Sequence, residues 1–554
     1  MLTRIRQLIR TFTRIEQRAF FASVALFALA VIAGGARYVY AHTTLVPADG
    51  DEYVEGIVGQ PVTVNPVLSQ GNDVDRDIIT LLFSGLAELS EQVVPSEGGK
   101  VWTATLKKDI RWSDSEALTS DDVLFTLETI QDIASRSPLF PTWQGVVAER
   151  LSEREIKFTL KTPYAFFADN LRDLRVIPRH IFGNIPAANL RLSTYNLEPV
   201  GSGPYVFRRY EKQKDGFITD YILEANPHFA GNKPHLATFH FKFFIGTADV
   251  LRSFNRFVIN GIGGLTAKDL SSITVGNDDH YLDIPRYYAV FFNTGLHPAL
   301  KERDVREALT RATDRANIAG TLFEGDGHVT PVYGPITPSL EGYDASRYIN
   351  ETYTPADAQK LLDKAGWVLG SDGVREKMFG RSKVKLELDM VVPQIQFLID
   401  AANIIKENWA TVGVKLTPLI MNPQDIANDV LKTRNYQLLL FGEILGTNPD
   451  IFAFWHSSER FSPGLNLSVY ENKAVDTLLE SIRKEMNPDA RLKSIGKLQD
   501  LLLNDRPAIF LFNPGYLYVT DKQLQGFDAA TVATPANRFD GVTSWYFRTR
   551  RVWR

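Results

Sequence analysis

Alternating apolar and polar residues predict a series of short β-strands along most of this chain. One run is different: residues 287–295 (YYAVFFNTG) begin as a continuous apolar segment, which is typical of a strand buried on both faces. The segment at 100–112 alternates, and further strands are predicted at 154–163, 219–226, 237–246 and 435–446, the last running into a loop.

Apolar residues at helical spacing predict amphipathic helices between these strands. Residues 302–323 predict one continuous helix. Residues 353–367 carry helix-boundary signals, with Thr354 as the N-cap, Asp357 in a capping-box position and Gly366 after the last turn. The alternation of strands and helices predicts a mixed α/β body without internal repeats.

An acidic stretch at residues 111–130 (RWSDSEALTSDDVLFTLETI) raises the question of a metal or acid/base site. Helical periodicity begins at Val123, and Thr119 with Asp122 has capping-box spacing. Asp121 and Asp122 then lie in the first turn, near the positive end of the helix dipole. The stretch therefore predicts a helix start rather than a site.

Two further stretches resemble ligand motifs but depart from them. DVDRD (73–77) resembles the start of a calcium loop, yet Ile78 and Ser84 stand where Gly and Glu are needed. We interpret it as a solvated helix start. GIGG (261–264) lacks dinucleotide-binding spacing and predicts a loop.

The N-terminus has the pattern of a membrane segment. An Arg-rich stretch, residues 1–18, precedes eighteen uncharged residues at 19–36 (AFFASVALFALAVIAGGA). That length approaches a bilayer span, and the flanking arginines place residues 1–18 in the cytoplasm. A cleaved signal peptide is the alternative, but the apolar run is long and VYA (39–41) has Val at its first position. We favour an uncleaved anchor at 19–41, followed by a polar linker at 42–51.

Composition narrows the classes of function. The chain has 554 residues, which indicates several domains, and no Cys, which excludes disulfides, thiolate metal sites and Cys nucleophiles. Residues 1–18 hold five Arg and one Glu, whereas the whole chain carries −4, so the remainder is acidic. An acidic body is a poor nucleic-acid partner, and none is expected.

Motifs for catalysis are missing from the sequence. There is no HExxH, GxxxxGKS or GxSxG segment. His228, His235 and His240 form the densest group of His, but their spacing is not that of two ligands on one helical turn. We therefore expect no enzyme activity, no cofactor and no metal site.

Seven segments, in order, resemble the family 5 extracellular solute-binding proteins, the peptide- and nickel-binding components of ABC importers. The acidic stretch is similar to the family's W-S-D-G-x-x-x-x-A-D-D-V-x-F-T segment, with Ser115 in place of Gly, and PVGSGPYVF is similar to its Gly-[ST]-Gly-Pro-Tyr segment. The seven segments are 111–130, 199–207, 226–236, 291–318, 353–367, 412–416 and 448–457.

The resemblance implies an α/β fold of the large, three-subdomain periplasmic-binding-protein type (type II), lying behind the transmembrane helix. Two lobes joined by two crossing strands close on a ligand by a hinge motion. The expected divisions are lobe I at 52–92, 200–286 and 511–550, an inserted subdomain at 93–199 and lobe II at 287–510.

The resemblance also indicates ligand-binding candidates. Gly201 and Gly203 of GSGPY permit close backbone approach, to a ligand or within a plain turn. In the cleft loop FGEILGTNPD (441–450), peptide binders of the family have Trp and an ammonium-binding Asp, where this chain has Glu443 and Leu445. Glu443 or Asp450 is the alternative counter-charge. The family's acidic G-E-x-D segment is also missing at 260–265. The full candidate set is Gly201, Ser202, Gly203, Asn293, Glu443, Leu445, Gly446, Trp455, Phe461 and Tyr516, of which the aromatic residues are equally suited to a core.

These observations predict a membrane-anchored, extracytoplasmic peptide receptor of an ABC importer, acting as a monomer with a permease and ATPase. A non-peptide ligand, such as an oligosaccharide or a chelated metal, is the first alternative. A sensory receptor uncoupled from transport is the second.

Overall fold

The computed structural model describes residues 11–69, 71–323 and 329–554. Most of the basic N-terminal segment, residues 1–10, thus lies outside the described residues. The longer helices are α1 (Arg14–His42), α2 (Asp73–Leu82), α3 (Ser120–Gln131), α4 (Phe167–Asp173), α5 (Thr247–Phe254), α6 (Arg303–Arg311), α7 (Arg315–Leu322), α8 (Pro355–Lys364), α9 (Gln396–Ala410), α10 (Lys473–Lys484) and α11 (Pro488–Asp505).

Twenty-two strands are assigned within the described residues. They are β1 (Thr43–Pro47), β2 (Asp51–Val58), β3 (Ser90–Ser96), β4 (Val101–Leu106), β5 (Val147–Arg150), β6 (Glu155–Thr159), β7 (Tyr205–Lys212), β8 (Ile218–Ala225), β9 (Leu236–Phe244), β10 (Gly261–Leu265), β11 (Asn277–Leu282), β12 (Arg286–Phe292), β13 (Val329–Pro331), β14 (Val368–Leu369), β15 (Arg375–Phe379), β16 (Ser382–Lys385), β17 (Glu387–Pro393), β18 (Lys415–Met421), β19 (Leu438–Ile444), β20 (Ala508–Pro514), β21 (Tyr516–Asp521) and β22 (Thr549–Trp553).

Two large mixed sheets organise the body. A seven-stranded sheet, β11-β21-β10-β2-β9-β8-β7, lies among the residues expected for lobe I. A six-stranded sheet, β13-β20-β12-β19-β17-β18, lies among the residues expected for lobe II, except that its strand β20 runs past residue 510 to Pro514. A four-stranded antiparallel sheet, β3-β4-β6-β5, lies among the residues expected for the inserted subdomain. The buried run at 287–292 forms β12, which has strands on both sides and apolar clusters on both faces, as its lack of alternation predicted.

The acidic stretch is a helix start, as predicted. The Thr119 side chain and the Asp122 carboxylate form a reciprocal capping box at the beginning of α3. Asp122 also accepts a hydrogen bond from the Arg179 backbone N–H, at 2.9 Å, and Asp121 pairs with Arg150 at 3.0 Å. The carboxylates of this helix start therefore satisfy backbone groups and a surface arginine.

Two helix predictions need correction. The segment 302–323 is two helices, α6 and α7, because the Asp314 side chain accepts from the Asn317 backbone N–H and starts a new helix. Thr354 makes no side-chain capping bond at α8, and Asp357 pairs with Lys360 instead.

Three local predictions were wrong. The GIGG segment is not a loop but strand β10, inside the lobe I sheet; a Cβ on Gly261 would lie 1.8 Å from the Tyr53 hydroxyl, so only Gly fits. The helix start at 73–77 is not solvated, since Asp75 and Asp77 are buried. The linker expected at 42–51 contains β1, which pairs along its whole length with β22.

Candidate functional site

The two large sheets are joined by two chain crossings. Residues 283–285 connect β11 to β12, and Gly515 connects β20 to β21. The Asn513 side-chain amide donates to the Asp283 carboxylate at 2.8 Å, and the Arg286 guanidinium donates to the Pro514 carbonyl at 2.9 Å. These contacts tie one crossing to the other.

Glu443 lies next to these crossings, at the end of β19. In the antiparallel pairing of β12 with β19, Tyr287 is directly opposite Glu443. The Tyr287 hydroxyl donates to Glu443 Oε2 at 2.5 Å. Two residues on, the Leu445 backbone N–H donates to the carbonyl of Pro285, within the first crossing. The sheet therefore places this carboxyl group beside the hinge.

The surroundings of Glu443 are apolar. Glu443 is 5% exposed, and its hydrogen-bond partner Tyr287 belongs to an apolar cluster that also includes Leu445 and Trp455. The Phe510 ring contacts both aromatic rings, with centroids 4.9 Å from Tyr287 and 5.8 Å from Trp455. Burial therefore raises the pKa of Glu443 well above its ordinary value, although the Tyr287 hydrogen bond and the charge of Arg434 lower it.

One oxygen of this carboxyl group has no hydrogen-bond partner. Glu443 Oε1 is buried and receives no donor from the described residues. Arg434 contributes charge at a distance, but its guanidinium donates to the backbone carbonyls of Leu431, Arg460 and Gly464. A cationic group reaching Oε1 would supply the missing donor and counter-charge.

The inserted subdomain contacts lobe II at a second place. The Tyr164 hydroxyl donates to Asp450 Oδ2 at 2.8 Å, and Arg483 Nε lies 2.9 Å from the same oxygen. The Ala165 backbone N–H donates to the Arg483 carbonyl, and the neighbouring Phe166 ring is buried in the lobe II core cluster. The two parts are thus in contact in this structure. Asp450 is therefore already engaged by a hydroxyl and a guanidinium in this structure.

A cavity of about 910 Å³ lies beside this contact, between the inserted subdomain and lobe II. Its volume is in the range of ligand-binding clefts. None of the ten sequence-predicted residues lines it. Its charged and aromatic lining includes Lys161, Tyr164, Phe167, Phe452, Glu480 and Arg483.

The GSGPY segment serves the fold. A Cβ on Gly201 would lie 1.9 Å from the Leu82 carbonyl oxygen, and the same backbone crowds Gly203. The Ser202 hydroxyl accepts from the Ser84 backbone N–H at 3.2 Å. The close approach that these glycines allow is to the end of α2, which corresponds to the plain-turn alternative.

The other candidates are dispersed. Asn293 is buried, and its side chain bonds the Arg434 carbonyl and the Gly295 N–H. Gly446 has a positive φ of 80° and open space at its Cβ position. Phe461 is 63% exposed and carries Arg460 over its ring. Tyr516 lies at the second crossing, with Arg538 over its ring. Of the ten candidates, Leu445 and Trp455 share one apolar cluster, and Glu443 is hydrogen-bonded to Tyr287, a member of the same cluster.

The sequence alone did not identify the partners of these candidate residues. Tyr287 lies on a predicted strand, but its pairing with Glu443 depends on the register of β12 against β19, which the sequence does not show. The buried ion pairs of Arg538 with Glu55 and Asp77 join segments more than 460 positions apart.

The histidines do not assemble a metal site. His228, His235 and His240 contact separate partners, Ser115, Asp49 and Asp220. Within the described ranges, no group of three His, Cys, Asp or Glu side chains is arranged to hold a metal ion.

Two lobes joined by paired crossings, with a ligand-sized cavity beside their contact, define a two-lobed binding protein. The chain belongs to the bacterial extracellular solute-binding proteins, family 5, whose model for the middle region matches residues 85–461. It is 25% identical to the oligopeptide-binding protein AppA of Bacillus subtilis over 87% of this chain and 89% of that protein. The AppA structure, solved with a nonapeptide, superimposes with a TM-score of 0.71 over 91% of this chain and all of the other.

Two other solved structures share the fold. The ABC transporter substrate-binding protein CtaP of Listeria monocytogenes is 24% identical, with a TM-score of 0.77 over 90% of this chain and 99% of its own. NikZ of Campylobacter jejuni, solved with Ni(L-His), is 23% identical, with a TM-score of 0.69 over the same shares. The predicted family and fold are confirmed, and these relatives are solute-binding proteins rather than enzymes.

Proposed function

We propose that this protein captures peptides between its two lobes by hinge closure and delivers them to the permease and ATPase of an ABC importer. Glu443 receives the cationic amino terminus of the peptide. The proposal rests chiefly on one observation, the buried and unpartnered Oε1 of Glu443 beside the crossings. A peptide's ammonium group matches that oxygen in charge and in hydrogen-bonding capacity.

The relatives support a peptide over the alternatives. AppA is named for oligopeptides and was solved with one, whereas NikZ was solved with a nickel–histidine complex. Histidine in such a complex also offers polar groups to the protein, so a chelated metal remains the alternative ligand. Neither a peptide nor a chelated metal requires a cluster of metal-ligating side chains from the protein, and none is found among the described residues.

The N-terminal helix supports a membrane location for the receptor. α1 spans 29 residues, has no buried residue and is apolar enough to cross a membrane. We infer that it remains as a single-pass anchor, with the body on the extracytoplasmic side and residues 1–18 in the cytoplasm. The body then works as a tethered monomer beside its permease.

The proposal is tested with the full chain in lipid nanodiscs. Native mass spectrometry identifies ligands that the protein carries from a rich medium, and short peptides are expected. The sharper measurement compares a bound peptide with its N-acetylated form by calorimetry. Acetylation removes the positive charge but leaves the side chains, so affinity should fall by about 1–3 kcal/mol.

Equal affinity for the free and acetylated peptides would contradict the role of Glu443. Recovery of a metal chelate or a sugar in place of peptides would overturn the peptide proposal and leave a solute receptor. Intact mass reports the anchor separately, because a cleaved helix shortens the chain.

A further inference from the structure

The membrane-proximal end of the body carries an aromatic and basic surface that the function above does not use. Strand β1 begins at Thr43, directly after α1 ends at His42. It pairs antiparallel with β22, and this register places Trp553 opposite Thr43 and Arg551 opposite Leu45. The body is thus connected to the helix through a two-stranded ribbon instead of a polar linker.

Side chains of the ribbon return to the last turns of the helix. The Arg551 guanidinium lies over the Tyr40 ring, 4.5 Å from its centroid, and donates to the Thr43 hydroxyl. The Trp553 ring lies 6.4 Å from that of Tyr38. The Arg554 backbone N–H donates to the His42 carbonyl at 2.9 Å. The end of the helix and β22 therefore form one surface.

The aromatic rings of this surface are exposed. Tyr38, Tyr40 and Trp553 are 60%, 69% and 64% exposed, so most of each side chain is not packed against the body. Tyr and Trp are enriched where a membrane helix meets the head groups, since their rings are apolar at one end and polar at the other. Their position at the end of α1 corresponds to that depth.

The arginines on β22 and beside it fall into two kinds. Arg548 pairs with Asp51, and Arg550 lies 3.6 Å from Asp49, so carboxylates already face both of these exposed arginines. Arg551 and Arg554 have no carboxylate partner among the described residues. Their charge is available to an anion.

We propose that Arg551, Arg554 and Trp553, with Tyr38 and Tyr40, form a binding surface for anionic phospholipid head groups on the extracytoplasmic leaflet. The inference rests on the proposed membrane anchor. The arginines bind the lipid phosphates, while the aromatic rings lie among the head groups. This contact, added to the ribbon, fixes the height and orientation of the body above the membrane.

The test uses the full chain in nanodiscs containing a zwitterionic and an anionic phospholipid. After release into mild detergent, native mass spectrometry measures which lipids the protein retains. The wild type should retain the anionic lipid preferentially. The double variant R551Q/R554Q should lower this preference by roughly 25-fold, because each arginine near an anionic surface contributes about a fivefold gain and the two factors multiply.

The chain provides a matched control on the same strand. R548Q/R550Q removes the same number of charges, but these arginines face Asp51 and Asp49, so the lipid preference should remain. Equal loss in both double variants, or no preference in the wild type, would overturn the lipid surface. A protein recovered without its helix would overturn both the anchor and this surface, while leaving peptide capture intact.

Discussion

The Tyr287 hydroxyl donates a 2.5 Å hydrogen bond to one oxygen of Glu443, and the other oxygen of that carboxyl group is buried without a donor. A half-satisfied buried carboxyl is costly to the unliganded protein. A ligand that supplies the missing partner would offset this cost on binding. The pair thus links the energetics of the empty receptor to the chemistry of what it binds.

Replacing Glu443 should separate affinity from stability. Glu443→Gln keeps the shape and the Tyr287 bond but cannot ionise to pair with a ligand ammonium, so peptide affinity should fall by about 1–3 kcal/mol. Calorimetry with one free-amine peptide measures the change. Tyr287→Phe is the companion variant. It should lower the stability of the empty protein by about 1 kcal/mol while keeping a carboxyl group that can ionise against the ligand's ammonium. An unchanged affinity in Glu443→Gln would show that the ligand does not reach this group.

The pH dependence of stability should have opposite signs at two buried glutamates. Glu443 has a raised pKa, so above the ordinary carboxyl pKa the folded state holds a proton that the unfolded state releases. The contribution of Glu443 to the free energy of unfolding therefore falls as pH rises, by at most about 1.4 kcal/mol per pH unit. Glu443→Gln should therefore stabilise the unliganded protein increasingly from pH ~5 to pH ~8.

Glu307 provides the contrast. Burial alone would raise its pKa, but Arg506 and Arg311 lower it below the ordinary value. The stabilisation by ionised Glu307 is present above the ordinary carboxyl pKa. It is lost as pH falls through the pKa of Glu307 in the folded protein. Glu307→Gln should therefore destabilise the protein at neutral pH, and the loss of stability should be smaller at acidic pH. Thermal melts of both variants across pH measure this, and parallel profiles would be inconsistent with the two environments.

The sequence predicted the elements whose signals are local. The capping box at Thr119 formed because both partners lie within one helical turn. The break at Asp314 was missed because a strong apolar periodicity continues through it. Strand β10 was missed because Gly gives no alternation; its reason for being Gly is the Tyr53 hydroxyl, which arrives from a distant segment.

The candidate site was less predictable for the same reason. Glu443 was found through the resemblance, as a departure at a cleft position. Its partner Tyr287 lies 156 residues away, and only the register of β12 against β19 brings them together. Gly201 and Gly203 were equally compatible with a ligand and a turn, since a sequence does not show which backbone approaches a glycine.

The Tyr164 hydrogen bond should contribute to the closed form. Tyr164→Phe removes the 2.8 Å bond to Asp450 across the two parts and should weaken ligand binding by about 1 kcal/mol. Tyr348→Phe is the control, because its 2.7 Å bond to Gln499 lies within lobe II. Calorimetry and small-angle scattering with ligand measure affinity and closure. A loss of closure in both variants, or in neither, would contradict a role for this contact between the lobes.

The Arg538 ion pairs should dominate the stability of lobe I. Arg538 is 2% exposed and bonds Asp77 at 2.7 Å and Glu55 at 2.9 Å. Arg538→Met would leave two buried carboxyl groups without their cation and should cost about 3–5 kcal/mol. Glu55→Gln should cost less, because Arg538 keeps Asp77 as its partner and burial already raises the pKa of Glu55.

Chemical denaturation of the two variants measures this difference. If Arg538→Met does not fold, the double variant E55Q/D77N provides the complementary measurement. This double variant leaves the Arg538 guanidinium buried without a carboxylate partner. It should also be destabilised, in this case by an unpaired positive charge. A wild-type-like melt for both Arg538→Met and the double variant would mean that the buried ion pairs contribute little to lobe I.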